Sequence, residues 1–131
     1  MDNLVNNYVE VRMDKSLNAL SVKFLGFIPY KDFVKTLEYE YDLIRQYQSK
    51  KCVIDLRLIP VYAAGATEYV KDTWFPTVSS LGMRQVAFIV PEAVLGQMSM
   101  NKAHENTKTV GGMAVEHFKD FDAAVGWLKA G

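Results

Sequence analysis

The run CVIDL at positions 52–56, with a polar and small-residue loop after it and a helix start near Ala66, most narrows what this chain can fold into. QVAFIV at 85–90 has the same character and is closed by Pro91. Apolar runs of this length are strands covered on both faces, as in a largely parallel sheet. Each is followed by a segment with helical spacing, so the two are predicted to be adjacent parallel strands at the sheet centre.

Two half-exposed strands precede them. Val9, Val11 and Met13 alternate with Tyr8, Glu10 and Arg12, and Leu20, Val22 and Phe24 alternate with Ser21 and Lys23. Asp14, Lys15 and Ser16 supply the turn, which predicts an antiparallel hairpin with one wet face. Past Gly26 the period lengthens. Phe33, Leu37, Tyr41 and Ile44 mark an amphipathic helix over about 29–47, with Glu38, Glu40 and Arg45 assigned to its polar positions. A second helix starts near Ala66, with Tyr69, Val70, Thr73 and Trp74 on its apolar side, a bend or break expected at Pro76, and Gly82 as terminator. A third helix is expected over 93–104. A polar stretch from Glu105 to Gly112, a strand at 114–118 and a last helix capped by Asp120 complete the chain. The predicted order, β-β-α-β-α-β-α-β-α, describes one α/β domain over residues 1–131 with a mixed, mostly parallel sheet and an N-terminal β-hairpin.

Composition excludes several classes. Fifteen basic and fifteen acidic residues cancel, removing the long-range attraction to nucleic acid or an anionic membrane that a basic domain has. No run approaches the ~20 apolar residues of a membrane span. Neither does the N-terminus read as an export signal. The one cysteine, Cys52, lies inside an apolar strand, which predicts a buried, reduced thiol and a cytoplasmic location.

The order of elements, together with CVIDLR, TWFP at 73–76, LGMRQVAFIVPEAVLGQMS at 81–99 and the closing FKDFDAAVGWLK, resembles the SpoIIAA-like or STAS superfamily, especially its stand-alone STAS/SEC14-type bacterial proteins. The resemblance spans about residues 8–129. It implies a SpoIIAA-like fold and a non-enzymatic regulatory or protein-interaction module without cofactor. The family's phosphorylated serine or threonine stands before a helix in an Asp-Ser-Ser-Gly type loop. Tyr62-Ala63-Ala64-Gly65 matches that loop here: the glycine is kept and the acceptor hydroxyl is missing, so the phosphoswitch does not carry over.

Catalytic and metal patterns are incomplete. His104-Glu105 opens the H-E-x-x-H zinc pattern, but position 108 is lysine, and His117 can meet His104 only through folding. Ser99 lacks the glycine that follows a nucleophile in its elbow, and Gly65 is too isolated for a phosphate loop. Asp55 and Arg57, at the end of a central strand where open α/β sheets bind ligands, are read first as an ion pair and second as a binding pair. Tyr62, Gly65, Tyr69, Trp74, Phe75 and Met98 complete the candidate binding set, as core packing or as a contact surface over 61–75. Two partners follow: a protein, including a second copy in a homodimer, or a small apolar, lipid-like ligand held between the second helix and the one bearing Met98 and Met100. A cavity of ~300 Å³ or more favours the ligand, and a flat apolar patch favours the protein.

Overall fold

In the computed structural model, which describes residues 3–105 and 109–131 and, at 109 and 110, the backbone only, the two apolar runs are the interior of one sheet. β4 (Lys51–Asp55) pairs in parallel with β5 (Gln85–Ile89), in a register that sets Cys52 beside Val86 and Ile54 beside Phe88. Their alternate side chains serve two cores. Cys52, Ile54, Val86 and Phe88 enter the larger core, and Val53, Ala87 and Ile89 enter the smaller one on the opposite face. Double coverage is why these strands need no polar alternation.

The full sheet has seven strands in the order β1-β2-β3-β4-β5-β7-β6. β2 (Val9–Asp14) and β3 (Ala19–Phe24) form the expected antiparallel hairpin. Asp14 Oδ1 accepts from the backbone N–H groups of Ser16 and Leu17 in its turn, and Asn18 takes the left-handed conformation there. β3 and β7 (Met113–Phe118) lie parallel to β4 and β5 respectively. Two short edge strands add to the sequence-based order: β1 (Asn3–Val5), antiparallel to β2, and β6 (Thr109–Val110), antiparallel to β7. At three and two residues they are too short to show alternation.

Three helical segments cover the larger face: α1 (Tyr30–Tyr47), the continuous run Ala66–Ser80, and α4 (Val94–Ala103). α5 (Phe121–Ala130) packs Ala124 and Leu128 on the other face, against β4, β5 and β7. Asp120 Oδ1 caps it by accepting from the Ala123 N–H. Because α5 sits over the parallel strands, Glu10, Arg12, Ser21 and Lys23 of the hairpin face outward and line an open polar groove.

The middle segment departs from the expected break. It comprises α2 (Ala66–Tyr69), a π-helical turn (Val70–Trp74) and α3 (Phe75–Ser80), joined without interruption. In the π turn the Phe75 N–H donates to the Val70 carbonyl, five residues back. The wider turn makes room for the Pro76 ring, which in an α-helix crowds the carbonyl four residues earlier. It also shifts the phase: Thr73, assigned to the apolar side, is exposed, and Trp74 and Phe75 are both buried. Part of the polar stretch between Glu105 and Gly112, including Lys108, lies outside the described residues.

Cys52 is buried and unbonded, and burial, followed by the charge of Glu40, pushes its thiol well above its ordinary value. A thiol reagent should therefore label the native protein only at the rate of global opening, with fast labelling appearing in parallel with urea unfolding. Labelling faster than unfolding would contradict this burial.

Candidate functional site

The turn after β4 is held by its own charges. Asp55 Oδ2 accepts from the Arg57 guanidinium at 2.6 Å and Oδ1 from Arg57 Nε at 3.0 Å, while the Arg57 backbone N–H also donates to Oδ1 at 3.0 Å. These bonds raise the Arg57 pKa. The pair is thus the mutual ion pair favoured by the sequence. Gly65 is needed for its geometry: it has φ of 90° and is the N-cap of α2, and a Cβ there would stand 3.1 Å from the Tyr30 ring. Tyr69 meets Tyr41 hydroxyl to hydroxyl at 3.1 Å and presents its ring edge-on to Phe33.

Between α1, the π turn and the sheet lies an apolar crevice walled by Phe24, Phe33, Ile54, Val70 and Phe88, with half-buried Tyr62 among its lining residues. It leaves about 20 Å³ for the centre of a water-sized sphere, which is room for roughly one water molecule. Glu40 lines it, and the sequence reading placed Glu40 wrongly on the polar side of α1: its exposure is 0%. Trp74 Nε1 donates to Glu40 Oε1 at 3.0 Å, whereas buried Oε2 has no partner among the described residues. Desolvation lifts this carboxyl to about 8, against a lowering by the Trp74 bond, so it is largely protonated at neutral pH. One signal for this burial was present in the sequence. Position 40 lies three residues after Leu37 and four before Ile44, inside the apolar stripe.

Folding joins the two histidines. His104, the C-cap of α4, brings Nδ1 within 2.8 Å of Nε2 of His117 on β7. His104 is buried against Phe88, with ring centroids 4.1 Å apart, and burial followed by His117 lowers it to about 3. His117 is exposed and is lowered first by desolvation. Among the described residues no group of three or more histidine, cysteine, aspartate or glutamate side chains is placed to hold a metal ion.

Of the two methionines expected to flank a ligand, Met100 is buried but Met98 points to solvent. α4 packs inward through Gly96, Met100 and Ala103. Gly96 lies so close to the preceding loop that a Cβ would come within 2.5 Å of the Ile59 carbonyl oxygen. The larger side chains turn outward: Val94 is 70% exposed, Leu95 62% and Met98 61%. Spacings of three and four residues put them on one face. Of the two readings the sequence left for residues 61–75, core packing describes Trp74 and Phe75, while Tyr62 and Tyr69 are half-buried. Trp74 and Phe75 are 2% and 1% exposed because the π turn aims them into the core, and a separate cluster of exposed apolar side chains lies on α4.

No protein-family model matches this chain, and no curated protein matches it. Among solved structures it is similar to an uncharacterised DUF3478-family protein of SpoIIAA-like fold from Shewanella loihica PV-4, at 16% identity and a TM-score of 0.62, covering 95% of this chain and 98% of that one. No helix among the described residues is long and apolar enough to cross a membrane. With its strand order, its antiparallel hairpin edge and its helices on both faces, the chain has the SpoIIAA-like fold.

Proposed function

We propose that this chain is a non-catalytic protein-contact module of STAS type whose docking face is Val94, Leu95 and Met98 of α4. The observation that carries this reading is the outer face of α4: the helix packs inward through Gly96, Met100 and Ala103 and leaves three large apolar side chains, Val94, Leu95 and Met98, together in water. A helix on a solvated surface normally turns polar side chains outward. The loop equivalent to the family's phosphorylation site has Ala63 and Ala64 where hydroxyls would stand, so control by phosphate at those positions is unavailable.

Replacing Leu95 or Met98 with glutamate should leave folding intact, since both side chains are in water, and weaken partner binding by about 30-fold or more if they sit at the centre of the contact. A photo-crosslinking amino acid at position 98, activated in the cell, should trap a protein partner, whereas the same group at exposed position 45 should not. Equal trapping at both positions, or none at 98, would end the reading.

A second reading, a sensor of a small apolar ligand, is favoured by the unpartnered Oε2 of Glu40 in an apolar crevice. With room for about one water, the crevice in this conformation is too small for a lipid-like molecule, so a ligand would have to widen it. Native mass spectrometry of protein taken directly from cells tests this, because a retained small molecule would favour the sensor over the contact module.

A further inference from the structure

We propose that the partner docking on α4 is a second copy of this chain, bound through antiparallel pairing of the two α4 helices about a two-fold axis near residue 97. This inference rests on the contact reading above. Its support is the charge arrangement around the apolar face. Glu92 lies exposed just before the helix and Lys102 lies exposed in its last turn, with Val94, Leu95 and Met98 between them. Neither charge makes an ion pair within the chain among the described residues, although Glu92 adds a favourable field at Arg57.

Positions 92 and 102 are equidistant from 97. Two-fold rotation there brings Glu92 of each copy to the level of Lys102 of the other and lays Met98 beside the other copy's Val94 and Leu95. A two-fold contact requires one patch to be its own complement. An acid at one end, a base at the other and an apolar centre meet that requirement, whereas a uniformly acidic or basic partner would match one end and be repelled at the other. Antiparallel helix dipoles favour the same arrangement. Zero net charge also imposes no general repulsion between copies. The face is small, at the low end of stable interfaces, so the dimer should be weak and concentration-dependent, with Kd in the micromolar range.

Sedimentation velocity from about 1 μM to about 500 μM tests this. The wild type should pass from monomer to dimer. Glu92→Lys and Lys102→Glu should each weaken the dimer about tenfold, because each homodimer then sets like charges together at both ends. An equimolar mixture of the two variants should associate as tightly as the wild type, since the mixed pair restores opposite charges at both ends. A mixture no tighter than the single variants would overturn the antiparallel arrangement. A wild type that stays monomeric throughout would overturn self-pairing: with a foreign protein trapped from position 98 the contact reading survives, and with nothing trapped it falls too.

Discussion

Trp74→Ala is expected to remove a large part of the protein's folding stability. The ring is 2% exposed, stands 5.0 Å from the Phe75 ring and 5.9 Å from that of Phe88, and its N–H is the one partner of the Glu40 carboxyl among the described residues. Truncating a buried aromatic costs ~3–5 kcal/mol through lost transfer energy and the cavity left behind. Stranding the carboxyl adds ~1 kcal/mol or more. A domain of this size has ~5–15 kcal/mol in total, so the sum removes much of the margin. Trp74→Phe retains most of the ring packing and loses the hydrogen bond, and should cost roughly half as much. Urea denaturation of both variants measures this; a loss below ~1 kcal/mol in Trp74→Ala would mean that the ring is not core.

Glu40→Gln should change how stability depends on pH. Glu40 is held at about 8 against an ordinary 4.5, so the folded protein keeps a proton that the unfolded chain releases. Its contribution is fully present below about 4.5 and is lost as pH rises to about 8. His104 acts in the opposite sense. Lowered from 6.5 to about 3, it favours the folded state above 6.5 and withdraws that contribution as pH falls. Between 4.5 and 6.5 the two slopes cancel, leaving the Glu40 slope uncovered from 6.5 to 8. At 1.36 kcal/mol per pH unit, the wild type should lose ~2 kcal/mol across that window. Glutamine cannot ionise and keeps an oxygen for Trp74, so relative to the wild type Glu40→Gln should gain ~2 kcal/mol between pH 6.5 and 8. Denaturant midpoints at pH 6.5, 7.2 and 8 provide the comparison. A difference between variant and wild type that stays flat would show that Glu40 does not titrate there.

Local pattern determined the larger part of the fold. The alternation from Tyr8 to Phe24 specified a hairpin with a wet face, the unbroken apolar runs at 52–56 and 85–90 specified central parallel strands, and Asp120 and Gly82 marked a helix start and a helix end. These signals were readable because each concerns residues within a turn or a strand of one another. The ion pair of Asp55 with Arg57 belongs to the same class, being two residues apart.

Only the tertiary structure decided the rest. Charge type outweighed the apolar stripe in which Glu40 stands, and its hydrogen-bond partner, Trp74, lies thirty-four residues on, where no local pattern could point to it. No periodicity announces a π turn, because one extra residue per turn reads as noise in a 3.6-residue pattern; yet that residue sent Thr73 outward and Phe75 inward. His104 and His117 met because the end of α4 packs over the end of β7. Met98 faces water rather than a ligand because Gly96 lets α4 press against the Ile59 loop and thereby sets which side of the helix remains outside. Each of these depends on how finished elements pack against one another, and packing joins residues whose separation along the chain leaves no local trace.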